Sequence, residues 1–308
     1  MKKKILIIGG TGFLGYNFAK KCLDNNLLVT SLSRSEPNKL RLLKKINYIY
    51  CDIQHKKKLH SKLNENFNYV VNFGGEVDHH SKNTYRSHYI GCKNLVDYFK
   101  KTKIEKFVQI GSSVEYGKLK SPHKEKNIIN DINRLDSTYA KAKLKSSLYV
   151  LNQYKRKKFP GTIFRIYLAY GPGQDLNRVI PFTILNCLKN NSFKCSDGNQ
   201  YRDFVFIDDV VEVLFRSLKK KKTNGEIFNI CKGRPINIKK TINDIKIKTK
   251  GGHPEFGKIK LRKDEVKIYY GSILKTKKFF NWKPKIDLNV GISKTIKYYE
   301  NYLKKRNR

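Results

Sequence analysis

Short apolar segments that alternate with helical stretches predict an α/β protein with a parallel sheet and crossover helices. Two observations refine that class. The first strand runs at once into a glycine-rich turn and a helix, Lys4–Gly15 reading KILIIGGTGFLG. The alternation then loses regularity after about residue 170, where Gly171-Pro172-Gly173 marks a turn. The expected architecture is a doubly wound parallel sheet over residues 1–170 and a smaller mixed α/β portion over residues 171–308. Phe204–Ile207 reads as a further buried strand, so the chain is expected to cross between the two parts more than once.

The candidate strands are Lys4–Ile8, Leu27–Leu32, Asn47–Tyr50, Tyr69–Phe73, Lys106–Ile110 and Gly161–Ile166. Each is a short apolar run, as strands buried on both faces require. The candidate helices are Phe13–Asn25, Lys56–Lys62, Tyr85–Lys101, Ser137–Arg156, Arg178–Lys189, Asp208–Lys221 and Leu288–Leu303. Asp136 or Ser137 can cap the fourth of these.

With 308 residues the chain can bury a real core. It has no apolar run near the roughly 20 residues of a membrane span. Its opening, MKKKILIIGG, has only four consecutive apolar residues, Ile5–Ile8, and reads as a strand. A cytoplasmic location is expected. The six cysteines are scattered with no CxxC pair, which fits reduced thiols and no metal site. The net charge of +41 invites a nucleic-acid reading. However, lysines cover the whole chain rather than one patch, so solvated basic faces are the expectation. Such a surface attracts anionic small substrates.

Gly9, Gly12 and Gly15 follow the first strand at a spacing of three. Such a turn lets backbone approach a pyrophosphate, and the helix N-terminus meets it with N–H groups and partial positive charge. Thr11, Phe13 and Leu14 belong to the same loop. A dinucleotide site follows, completed by Asp52 and Ile53 after the third strand and by Phe73 and Gly74 after the fourth. At the end of the second strand an NAD site usually carries an acid for the ribose 2′-hydroxyl. Here the sequence is Ser33-Arg34-Ser35, suited to a 2′-phosphate. NADP is the expected cofactor and NAD the alternative.

Ser112 and Ser113 stand at the carboxyl end of the fifth strand, where ligands sit in an open parallel sheet. Tyr139 and Lys143 are one helical turn apart on one face. A carbonyl that receives hydride needs a proton on its oxygen, and a phenol can supply it. A neighbouring ammonium is expected to lower the phenol pKa from about 10. The spacing recurs at Tyr116/Lys120 and Tyr154/Lys158, so position decides. Tyr116 lies in the loop, and Tyr154 lies about 22 Å further along the helix.

Gly9/Gly12/Gly15, the Ser112 loop, Tyr139/Lys143, RIYLAYGPGQ (Arg165–Gln174) and YRDFVFIDDV (Tyr201–Val210) stand in one order. This set resembles the extended short-chain dehydrogenase/reductases of the NAD-dependent epimerase/dehydratase family, which act on nucleotide sugars. UDP-galactose 4-epimerase, dTDP-glucose 4,6-dehydratase and CDP-abequose synthase are members. The resemblance implies a Rossmann-type sheet and a catalytic Ser112, Tyr139 and Lys143, with Tyr139 and Lys143 also at the cofactor. It implies that Arg202 grips the nucleotide diphosphate. It also implies a homodimer through the helices Tyr85–Lys101 and Ser137–Arg156, and a place in glycan or lipopolysaccharide precursor synthesis.

Departures from the family pattern narrow the reaction. Dehydratases carry an acid pair after the catalytic Ser/Thr, where this chain has Ser113 and Val114. The usual Asn of the RxxNxYGPGQ stretch is Leu168. His88, His79 or His80 can contact the substrate instead, beside Ser113. The expectation is an NADP-dependent reductase acting on C4 of a nucleotide-linked 4-keto-6-deoxy sugar. The alternatives are a 4-epimerase with tightly bound NAD and a noncatalytic cofactor-sensing or nucleic-acid-binding family member.

Overall fold

The structure, a computed structural model, describes residues 2–76, 81–127, 129, 131–261 and 265–306. The first half runs β1 (Lys4–Ile8), α1 (Phe13–Asp24), β2 (Leu28–Ser33), β3 (Asn47–Tyr50), α2 (Lys56–Lys62), β4 (Tyr69–Asn72), α3 (Lys82–Tyr85), α4 (Gly91–Phe99), β5 (Lys106–Ser112), α5 (Thr138–Lys157) and β6 (Gly161–Ile166). Then come β7 (Leu168–Tyr170), α6 (Val179–Leu188), β8 (Ser192–Lys194), β9 (Tyr201–Arg202), β10 (Phe204–Phe206), α7 (Ile207–Ser217), β11 (Ile227–Ile230), β12 (Ile236–Asn237), α8 (Ile238–Thr249), β13 (His253–Glu255), β14 (Ile268–Tyr269), α9 (Leu274–Phe280) and α10 (Leu288–Arg306).

Seven parallel strands form the main sheet in the order β11-β6-β5-β4-β1-β2-β3. Alternate side chains along each strand enter opposite cores. Ile5, Ile7, Val71, Val108 and Phe164 face one side with Phe18, Phe228 and Phe280. Leu6, Ile8, Val70, Phe107 and Ile163 face the other with Leu59, Leu95 and Phe99. Helices therefore cover both faces, and the expected doubly wound, Rossmann-type sheet is present. The order reverses at β1, where β2 lies on one side and β4 on the other. No helix among the described residues is long and apolar enough to cross a membrane.

One local expectation is corrected, one is borne out in a different sheet, and one strand is added. The predicted helix Tyr85–Lys101 is broken by a π-helical turn, Arg86–Ile90. Ser87 Oγ accepts from Glu76 N (3.1 Å) and His88 Nε2 bonds Glu76 O (2.9 Å), which ties this turn to the loop after β4. The buried strand expected at Phe204–Ile207 is present as β10, which pairs with β7, and Ile207 already opens α7, with Asp208 and Asp209 in its first turn. The strand that does return to the main sheet is β11, which pairs with β6 from Ile227↔Ile163 to Ile230↔Ile166 and had no counterpart among the predicted strands.

At the end of the sheet away from the glycine turn, Lys106 opens β5 with no exposed surface. Its Nζ donates to Lys220 O (2.9 Å), Thr223 Oγ1 (2.7 Å) and Asn224 Oδ1 (2.5 Å). No carboxylate offsets the burial, which pushes its pKa down from 10.5 to about 7. The unfolded chain thus binds more protons than the folded one across that window, so this residue makes stability rise with pH from about 7 to 10.5. Urea unfolding across this range should show a rise for the wild type that Lys106→Met flattens. Parallel curves would refute the assignment.

Candidate active site

A cavity of about 700 Å³ opens over the carboxyl ends of β1, β2, β4, β5 and β6, across the point where strand order reverses. Gly9, Thr11, Gly12, Phe13, Leu14, Gly15, Ser33, Arg34, Asp52, Ile53, Phe73 and Gly74 line one end. The turn depends on missing side chains. Gly9 holds φ +74°, and a Cβ on Gly15 would lie 2.2 Å from Gly9 O. Helix α1 therefore sits directly on the turn. Its N-cap is Gly12, no side chain caps it, and no acid stands in its first turn. Thr11 N reaches Ser33 Oγ (3.4 Å), and Asp52 Oδ1 accepts from Gln54 N (2.9 Å). Arg34 is exposed on the rim.

Ser112, Ser113, Val114, Tyr139, Lys143 and His88 line the other end. Ser137 caps α5 by accepting from Ala140 N (3.1 Å), which starts that helix two residues before Tyr139. Tyr139 and Lys143 point into the cavity wall, with Lys143 Nζ 5.8 Å from the phenol ring centroid and donating to Ile110 O (2.9 Å). Tyr139 shares a hydrogen bond with Ser112. His88 stands edge-on to Tyr139 at 5.2 Å.

Burial governs the proton affinities here. It raises the Tyr139 phenol, while the Ser112 hydrogen bond and Arg178 pull it down and Glu115 adds to the rise. The lowering expected from Lys143 is not among these causes, and the phenol is raised. The same burial brings Lys143 from 10.5 to about 8, against the raising fields of Glu115 and Cys92. It also holds His88 well below its usual value, so this imidazole is neutral.

One predicted substrate residue does not meet the cavity. Arg202 is absent from its lining and is ion-paired with Glu265. His79 and His80 lie outside the described residues. Conversely, Gln174, Asp175, Asn177 and Arg178, before and at the head of α6, line the cavity without having been anticipated. Gln174 closes the RIYLAYGPGQ stretch, and the other three have as sequence signal only the Gly171–Gly173 turn that precedes them. Asp175 pairs with Arg41 (2.6 Å), which bridges the loop after β2 to this segment.

The sequence model of the NAD dependent epimerase/dehydratase family matches residues 5–231. A Methanocaldococcus jannaschii protein with a provisional UDP-glucose 4-epimerase designation is 29% identical over 313 residues, which cover 96% of this chain and 98% of that protein. Human dTDP-D-glucose 4,6-dehydratase is 27% identical over 326 residues, covering 97% of this chain and 91% of the enzyme. The UDP-glucose 4-epimerase structure from Thermotoga maritima superposes with a TM-score of 0.91 at 23% identity, covering 97% of this chain and 99% of that one. The chain belongs to the NAD dependent epimerase/dehydratase family.

Proposed function

We propose that this chain is an NADP-dependent oxidoreductase that reduces C4 of a nucleotide-linked 4-keto-6-deoxy sugar. One observation carries the choice of cofactor. The cavity wall at the end of β2 is Ser33, Arg34 and Ser35, with no carboxylate where a ribose 2′-hydroxyl would ask for one. A guanidinium between two hydroxyls suits a 2′-phosphate. The residues fit a dinucleotide. The uncapped α1 N-terminus offers its N–H groups to a pyrophosphate, and Gly15 leaves room for that approach.

The bound nicotinamide supplies hydride chemistry at the sugar carbon. The protein's own residues handle the oxygen. Tyr139 is held as a neutral phenol and donates its proton there. Ser112 hydrogen-bonds the phenol and orients the carbonyl. Lys143 is fixed by Ile110 O, beside the phenol, and binds the ribose of the cofactor. The chain has no free acid beside Ser112 for dehydration. Val114 is apolar, and Glu115 is buried against Arg165 (2.9 Å).

A 4-epimerase with tightly held NAD is the second reading. Likeness to the archaeal protein over nearly the full length favours it. The first experiment is to denature purified protein, identify any released dinucleotide, and titrate the emptied protein with NADPH and NADH. Retained NAD⁺ would replace the reductase by the epimerase. Binding of neither cofactor would overturn the redox reading.

Three outcomes are expected. Arg34→Ala should weaken NADPH binding about tenfold, the loss of one charged hydrogen bond, and leave NADH unchanged in a fluorescence titration. Tyr139→Phe should lower kcat by about 10²–10⁴ with cofactor affinity intact. The kcat/KM for NADPH, which reports the free enzyme, should fall as pH rises through about 8, because Lys143 loses its ammonium there. A kcat/KM flat to pH 10 would contradict that role.

A further inference from the structure

Ser112 ends β5 and caps the tight turn Ser113–Tyr116 that follows. The third residue of that turn, Glu115, is fully buried directly behind the site. Its Oε1 accepts from the backbone N–H of Ser112 (2.8 Å), and its Oε2 accepts from Arg165 Nε (2.9 Å) on the neighbouring strand β6. Arg165 is also buried, and its guanidinium lies 4.4 Å over the Tyr116 ring. The Tyr116 hydroxyl donates to Asn229 Oδ1 (2.7 Å) on β11. One rigid polar chain thus runs from Ser112 across three adjacent strands. Gly111 makes the place for it, since a Cβ there would meet Glu115 Oε1 at 2.4 Å.

Stability does not account for such a pair. Two charges out of water cost several kcal/mol each, and well-packed apolar residues usually serve a core as well. The geometry has a more specific consequence. The side-chain hydroxyl of Ser112 takes only a long contact from Val114 N (3.4 Å) and bonds Tyr139. Its direction is therefore set by the backbone that Glu115 holds.

We propose that Glu115, clamped by Arg165, is a positioning residue that fixes Ser112 against Tyr139. This rests on the assignment of Ser112 and Tyr139 made under Proposed function. The Tyr139 phenol is faced by Ser112 from β5, Glu115 from the turn, His88 from the π turn, Lys143 from its own helix and Arg178 at the head of α6. Only the first of these depends on the Glu115 hydrogen bond for its direction.

The test compares two double variants that remove both charges together. Glu115→Gln/Arg165→Met keeps an acceptor for Ser112 N, whereas Glu115→Leu/Arg165→Met does not. Hydride transfer from NADPH to dTDP-4-keto-6-deoxyglucose should stay within about threefold of wild type in the Gln pair and fall about 10²-fold in the Leu pair. KM and NADPH affinity should be unchanged in both. A second readout needs no substrate. Tyrosinate absorbance, taken as a difference against Tyr139→Phe, should titrate at higher pH in the Leu pair, because a misdirected Ser112 no longer stabilises the phenolate.

Equal rates and equal titrations in the two pairs would overturn the proposal. Differing titrations without reduction of the probe would support Glu115 while removing the reductase reading. Should either pair fail to fold, Gly111→Ala displaces the carboxylate with both charges present. An unchanged phenol titration in that variant would equally overturn the proposal.

Discussion

The site depends on backbone approaching backbone where strand order reverses. Phe73 N donates to Ile8 O (3.0 Å) and Gly9 N to Leu32 O (2.7 Å), so β1 is held on both sides to its last residue. Gly9 then turns with a positive φ, and a Cβ on it would meet Gly74 N at 3.2 Å. The chain leaves β1 and β4 over opposite faces of the sheet, and the crevice between these exits is the cavity. Side chains at Gly9 or Gly15 would fill that approach. The cradle is therefore a product of absent atoms, and the three glycines are its visible trace in the sequence.

With 66 basic residues and 25 acidic ones, the buried acids can be followed one by one. Asp203 accepts from the backbone of Lys232 (2.6 Å), Gly233 (3.0 Å) and Gly271 (3.3 Å). Asp209 accepts from Lys285 and Ile286 N, Glu125 from Asn229 N, and Glu115 from Ser112 N. Asp203 and Asp209 gather loop N–H groups, while Glu125 and Glu115 bind N–H groups of strands β11 and β5, charge-assisted bonds to a carboxylate in every case. Burial raises Asp203 to about 6, even against its three hydrogen bonds. These anchors hold the loops after β11, β14 and α9 in place. The exposed lysines take no part in this; some form surface ion pairs such as Lys240–Asp244, and together they set the long-range field.

Much of this was legible in the sequence. The strands Lys4–Ile8, Asn47–Tyr50 and Gly161–Ile166 and the helix Lys56–Lys62 appear with the bounds their apolar patterns gave. The predicted cofactor contacts from Gly9 to Gly74 all line one cavity with Ser112, Tyr139 and Lys143. What stayed hidden has a common cause: it depends on partners far away in the chain. The π turn follows from Glu76, ten residues upstream of Arg86, and β11 is a strand because β6 has a free edge. The resemblance put Arg202 at a nucleotide diphosphate, and its ion pair with Glu265, 63 residues away, had no sequence signal. Glu115 has no sequence signal for its role, and the turn carries it inward to Arg165. Periodicity reports which face a residue takes; it carries no information about which distant charge waits there.

The resting protonation of the site bears on the direction of catalysis. Tyr139 is 9% exposed and Lys143 4%. Burial disfavours the charged form of each, which raises the phenol and lowers the ammonium to about 8. Phenolate paired with ammonium, the arrangement an oxidation would start from, is thus opposed twice, and Glu115 opposes the phenolate a third time. A neutral phenol is the state that donates a proton to an oxygen after hydride arrives. An anionic ligand filling the cavity raises the ammonium again without helping the phenolate. The protein's own electrostatics therefore favour phenol over phenolate at Tyr139, chiefly through burial, with Glu115 adding to the rise.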